Sequence, residues 1–338
     1  MRRARLLGAA LGAAAVLAST QACSGSSGTS RHPEAAADLA RAAGPTTAAP
    51  KTPPAAASPT PVRRPAPAPL AQPNTAPAPT NLPRGGRTLF PRYRVVAYYG
   101  EGYPGGMGLI EVNHLEQAAA ALQRQADAYA GFGRAVLPAF ELIVTDATRR
   151  PGPDGSYSLK LDPAAVQRYL AVARAHKMLL VLDFQPGTDD FLSQVRRYEQ
   201  FLRQPDVGVG LDAEWRTPGG RPYQGTGHSS AAEINAVGSY LAGIVRAGKL
   251  PEKLLVVHQF RYDMLPDRQA VQAPKGLAVS FHMDGLGGIG LKTSVYDQLA
   301  VRPPFHNGYK IFPRLDKPPM TPEQAMALRP QPELITYQ

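Results

Sequence analysis

The chain has one cysteine, Cys23, so no disulfide can form within it, and its folded part must be held by a core large enough to stand alone. It has no apolar run long enough to span a bilayer comfortably; the longest, Leu6 to Ala18, is thirteen residues. Several chemical signatures are missing too. No G-x-S-x-G follows a strand-like run, which argues against a serine nucleophile on an elbow. No H-x-H or H-E-x-x-H spacing is present, so His258, His282, Asp183 and Asp284 do not read as a zinc hydrolase set, and neither metal nor cofactor is expected. The glycine-rich stretch Gly285 to Gly290 has neither the lysine of a phosphate loop nor dinucleotide spacing. The excess of positive charge is also not where it first seems to be. Residues 1–94 hold twelve Lys or Arg against two acids, +10 of the formal +11, which leaves the rest nearly neutral and excludes nucleic acid as a partner.

What the N-terminal part does have is targeting and tether chemistry. Arg2, Arg3 and Arg5 precede the apolar run, the layout of a secretory signal over residues 1–22. Cys23 follows at once and resembles the lipidated cysteine of bacterial lipoproteins, although Thr20, Gln21 and Ala22 depart from the pattern that family prefers before it. That resemblance implies an anchor at the extracellular face of the membrane; simple cleavage and release is the alternative. Residues 23–92 are dominated by Ala, Pro and Thr, a composition that cannot bury enough surface to offset ordering, and are expected to be a disordered tether. About fifty residues of polyproline-like chain at about 3.1 Å each would reach roughly 150 Å.

From Tyr93 onward apolar β runs alternate with helical periods: YRVVAYYG, AVLPAFELIVTD, MLLVLDFQPG, VGVGLDAEW, KLLVVHQF, GLAVSFHMDG, a weak YKIF and ELITYQ. Continuous apolar strands with helices between them mean a parallel sheet covered on both faces, and eight of them mean closure into a (β/α)8 TIM-type barrel over residues 93–338, here as a monomer. An open doubly wound sheet is the second choice of fold, and Pro138 inside the second run is awkward because it removes a ladder donor.

In a parallel barrel the functional face lies where strands end. Polar residues gather there: Glu141, then Asp183 and Gln185, Asp212 and Glu214, His258 and Gln259, His282 and Asp284, and Tyr337 and Gln338. Tyr98, Tyr99, Tyr103, Trp215 and Tyr223 add flat surfaces suited to sugar rings. The fourth run is the focus. With period two, Gly208, Gly210, Asp212 and Glu214 share one face, and two carboxylates that close separate each other's proton affinities, one becoming an acid and the other an anion.

This D-x-E at a strand end resembles the motif of chitinase-type family 18 glycoside hydrolases and, less closely, that of family 25 lysozymes. The resemblance implies Glu214 as general acid and Asp212 as its supporting carboxylate, with Tyr98, Glu141, Asp183, Gln185, Trp215, His258, Gln259, His282, Asp284, Tyr337 and Gln338 as substrate-binding residues and a polysaccharide or peptidoglycan as partner. The chain departs from the chitinase pattern at Gly210, where that family has a further Asp, and from the lysozyme pattern on the first strand, which carries no Asp. It equally resembles barrel lipoproteins of high-G+C bacteria whose activity is open. A barrel that binds a saccharide or peptidoglycan fragment without cleaving it would need the same pocket.

Overall fold

The computed structural model describes residues 81–338; the signal segment, Cys23 and the tether up to residue 80 lie outside the described residues. Eight parallel strands form the barrel: β1 Tyr93–Glu101, β2 Ala135–Ala147, β4 Leu179–Phe184, β5 Val207–Asp212, β6 Lys253–His258, β7 Leu277–Met283, β8 His306–Ile311 and β9 Leu334–Tyr337. Because β1 pairs with both β2 and β9, the sheet closes and the open doubly wound alternative is excluded. A short β3, Ser158–Lys160, pairs antiparallel with the end of β2 and was not foreseen from the sequence.

Between the strands run α1 Leu115–Asp127, α2 Pro163–Ala175, α3 Phe191–Arg197, α4 Glu199–Leu202, α5 Ala231–Gly248, α6 Ile289–Leu299 and α7 Pro322–Ala327. Local chemistry starts several of them. Asp162 accepts a hydrogen bond from the Ala164 amide and Pro163 takes the first helical position, where its missing N–H costs nothing; Ser230 caps α5 through the Glu233 amide. Pro138 is tolerated because β2 pairs with β4 only from Ala139 onward, so one donor is lost ahead of that ladder.

Strand parity divides the apolar residues into two bodies. Val207, Val209 and Leu211 of β5 face outward into the helix layer, as do Val96 of β1 and Ile335 of β9. Ala97, Leu137, Ala139, Leu179, Val181, Leu254, Val256, Ala278 and Leu334 fill the lower barrel interior. Residues 81–92, expected as tether, correct that boundary: Leu82, Leu89 and Phe90 are buried in this interior body and close the barrel floor. Side chains of that size each contribute about 1.5–3 kcal/mol by leaving water. Polar contacts lock the segment in place, with Arg84 donating to the Val136 carbonyl at 3.0 Å and Glu252 accepting from the Leu89 amide at 2.6 Å.

Candidate active site at the barrel mouth

Above the apolar floor the inward positions turn polar, and above those lies a cavity of about 480 Å3, within the range typical of small-ligand sites. Its walls include Asp212, Glu214, Asp284, Lys310, Trp215 and Phe260, with Tyr99 and Gln185 at its base and much apolar surface from Met283, Leu291 and Phe312.

The D-x-E residues do not both sit on the strand. β5 ends at Asp212, and residues Ala213–Trp215 form a 3-10 turn that Asp212 itself caps, its Oδ1 accepting from the Glu214 amide at 3.1 Å. The Gly227 amide donates to the Glu214 carbonyl at 2.6 Å, so the backbone of Glu214 is pinned at both ends while its side chain lines the cavity. Arg216 does not pair with either carboxylate; it donates to Glu233, in the first turn of α5, at 2.9 Å. The Trp215 ring packs 4.7 Å from Tyr223, which is the outer member of the pair.

Beneath the cavity is a buried ionic cluster centred on His258. Its Nε2 lies 3.2 Å from both Glu141 Oε1 and Asp183 Oδ1, and its Nδ1 lies 3.0 Å from Asp284 Oδ2. Tyr99 donates its hydroxyl to Asp183 Oδ2 at 2.9 Å, and Thr336 donates to Glu141 Oε2 at 3.2 Å. Since the Thr336 proton goes to Glu141, His282 Nε2 must be the donor across its 2.8 Å contact with Thr336, which leaves His282 Nδ1 bare and without a hydrogen bond. Two glycines make this crowding feasible. A Cβ on Gly210 would stand 2.5 Å from Asp183 Oδ1, and one on Gly308 would stand 3.0 Å from the His282 ring.

The electrostatics separate the mouth carboxylates. Burial, then the charge of Asp284, push Glu214 up to about 7, with Lys310 and His258 opposing. Burial likewise raises Asp212 well above the carboxylate range, with Asp183, Asp284 and Glu214 adding to it against His258. Asp284 goes the other way: burial disfavours its charge, but the hydrogen bond and charge of His258, together with Lys310, hold it below its ordinary value. The expectation that Asp212 supplies the charge tuning Glu214 is therefore corrected; Asp212 is itself pushed well above the carboxylate range, and the tuning anion is Asp284. Burial works against a charged His258, yet Asp183 and the contacts with Asp284 and Glu141 outweigh it and keep its proton affinity well above the usual imidazole value. Burial and the neighbouring His258 hold His282 well below it, so that ring is neutral.

No family model matches the chain, nor does any curated protein or solved structure. The functional reading therefore stands on the site alone. Of the residues singled out from the sequence, Asp212, Glu214, Gln185, Trp215, Asp284 and Gln338 line the cavity, and Glu141, Asp183, His258 and His282 lie fully buried below it. The others are elsewhere. Tyr98 and Tyr337 point outward and meet edge to face at 6.3 Å under the helices, where the Tyr337 hydroxyl lies 2.5 Å from that of Tyr129. Gln259 turns away from the mouth and donates to the Arg261 carbonyl at 2.9 Å. Tyr103 is absent from the cavity as well, among the outer-layer residues.

Lys310 is the residue the sequence reading missed. It reaches the mouth from β8 with its Nζ 3.5 Å above the centre of the Tyr99 ring, a cation–π contact, and has no ion-pair partner among the described residues. The alternation of Tyr309 and Ile311, buried in the outer layer, with Lys310 carried that information.

Proposed function

We propose that this barrel is a glycoside hydrolase-like enzyme acting on a cell-wall or extracellular polysaccharide, with Glu214 as the general acid. One observation carries the reading: in a single cavity, Glu214 holds its proton up to about 7 while Asp284 stays ionised below its ordinary value. Cleavage of a glycosidic bond needs that pair, one carboxylic acid to protonate the leaving oxygen and one carboxylate to support the positive charge that develops on the sugar or to activate water.

In this reading Glu214 gives its proton to the leaving oxygen. Asp284 faces the charge that forms on the ring. Asp212, its proton affinity raised by burial, fixes the turn carrying the acid by accepting from the Glu214 amide. Trp215 and Phe260 supply the apolar faces on which sugar rings stack. The expected setting is the outer face of the membrane, with Cys23 carrying the lipid. The test is release of new reducing ends from peptidoglycan, chitin oligomers and common wall glucans by the purified full chain. Cleavage of at least one of them is expected. Saturable binding without cleavage of any would replace the hydrolase by a saccharide-binding barrel.

A further inference from the structure

The cluster beneath the cavity contains an arrangement that the acid at the mouth does not use. Glu141 Oε1, Asp183 Oδ1 and His258 Nε2 arrive from three different strands, β2, β4 and β6, and all lie within 4.8 Å of one another in a fully buried site. Each of these residues has its other polar atom tied down: Asp183 Oδ2 by the Tyr99 hydroxyl, Glu141 Oε2 by Thr336, and His258 Nδ1 by Asp284 Oδ2. With Nδ1 donating to Asp284, the His258 Nε2 faces two carboxylate oxygens, a position that either a proton on Nε2 or a bound cation fills. Asp183 Oδ1 makes no hydrogen bond although it is only 3.2 Å from that nitrogen. A buried acceptor without a hydrogen bond ordinarily costs about 1–3 kcal/mol, which the ion pair with a protonated His258 offsets in part. On the β5 side, Gly210 leaves open the space that a Cβ would occupy, 2.5 Å from Asp183 Oδ1 and 3.3 Å from Glu141 Oε1.

We propose that Glu141, Asp183 and His258 bind a divalent transition-metal ion of the zinc or manganese class, which ties β2, β4 and β6 together below the cavity. The donor set, one imidazole nitrogen and two carboxylate oxygens, suits such ions. The spacing suits them as well. Ligand atoms about 2.0–2.2 Å from a tetrahedral ion are separated by roughly 3.3–3.6 Å, and His258 Nε2 lies 3.2 Å from each oxygen. Tyr99, Thr336 and Asp284 are the outer partners that orient metal-binding carboxylates and imidazoles and fix the imidazole tautomer. A proton on Nε2 would bring one positive charge to the cluster; a divalent ion brings two. This departs from the expectation, drawn from spacing alone, that no metal is bound. The ligands are far apart in sequence and meet only in the closed barrel. The proposal does not depend on the hydrolase reading.

The test uses the full chain purified without chelator. Elemental analysis after dialysis is expected to give about one zinc or manganese ion per chain. Chelation should lower the melting temperature, and re-addition of that ion at micromolar concentration should restore it. Cobalt substitution should give visible d–d absorption from a site with one nitrogen ligand. Asp183→Asn, which keeps the side chain's size, should weaken binding by at least about 100-fold, since even outer partners contribute 10- to 100-fold; His258→Gln should abolish the cobalt spectrum. Because either variant could fail to fold, the wild type also decides. If it is metal-free and its melting temperature is unmoved by chelator and by zinc, manganese and cobalt salts, the proposal is overturned and the imidazolium alone balances the carboxylates. Equal metal retention by wild type and folded Asp183→Asn would overturn it as well.

Discussion

Replacing Glu214 by glutamine separates catalysis from folding because the turn that carries it is held by backbone atoms. The Glu214 amide donates to Asp212 and its carbonyl accepts from Gly227, while its side chain takes no part in either bond. Glu214→Gln should therefore keep the shape and ligand affinity of the mouth and lose the proton. Positioned acid catalysis contributes roughly 10²- to 10⁴-fold, or about 2.7–5.5 kcal/mol of barrel-mouth transition-state stabilisation, and kcat/KM should fall by that factor. The stability should change in the opposite direction. The carboxyl is raised from 4.5 to about 7, so the folded chain binds more protons than the unfolded one between those values. Its contribution is full below 4.5 and is lost as pH rises through 7, which makes an ionised Glu214 a cost of order 1–3 kcal/mol at pH 8. Glu214→Gln should thus match wild type near pH 4 and be the more stable protein at pH 8. Reducing-end release from pH 5 to 9, with urea unfolding at both extremes, reads both effects. A variant that keeps turnover within a few-fold of wild type, or that unfolds more easily at pH 8, would refute the reasoning.

Other outcomes follow from the same geometry. Lys310→Met removes a charge that lowers the proton affinity of Glu214, so the alkaline limb of kcat/KM should move upward, as a pH–rate profile would show. Lys253, buried with its Nζ on the Gln204 and Val207 carbonyls, is lowered to about 7 by burial. The unfolded chain then binds the extra proton between about 7 and 10, stability rises with pH across that window by at most about 1.4 kcal/mol per unit, and Lys253→Met should flatten the slope in urea titrations. Leu89→Ala, in the barrel floor, should cost about 2–5 kcal/mol in equilibrium unfolding without altering kcat. Cys23→Ser should move the protein from the membrane fraction to the medium on fractionation.

The barrel was legible because its strands are continuous apolar runs and its helices carry ordinary starts such as Asp162-Pro163. Period two also placed Gly210 and Asp212 on one face, and both are found facing inward. The misplacements came from not carrying that parity through every strand. Ala97 and Tyr99 point inward, so Tyr98 must point out; Leu334 and Thr336 point inward, so Tyr337 must follow Ile335 into the helix layer. The weak YKIF run hid Lys310 for the same reason. Two features had no local signal. The floor plug of Leu82, Leu89 and Phe90 sits in a sequence that reads as tether and is buried only by a barrel end that non-local contacts create. Likewise, the pairing of His258 with Glu141, 117 residues away, exists only once β1 has closed on β2.

The central claim is that Glu214 keeps its proton to near neutral pH in the free protein. Carbon-13 NMR of carboxyl-labelled glutamate, assigned by the resonance missing from Glu214→Gln, measures that directly. A titration midpoint near 7 is the predicted result. A midpoint at or below the ordinary 4.5 would contradict the account, because the residue would then be an anion at the pH where it must donate.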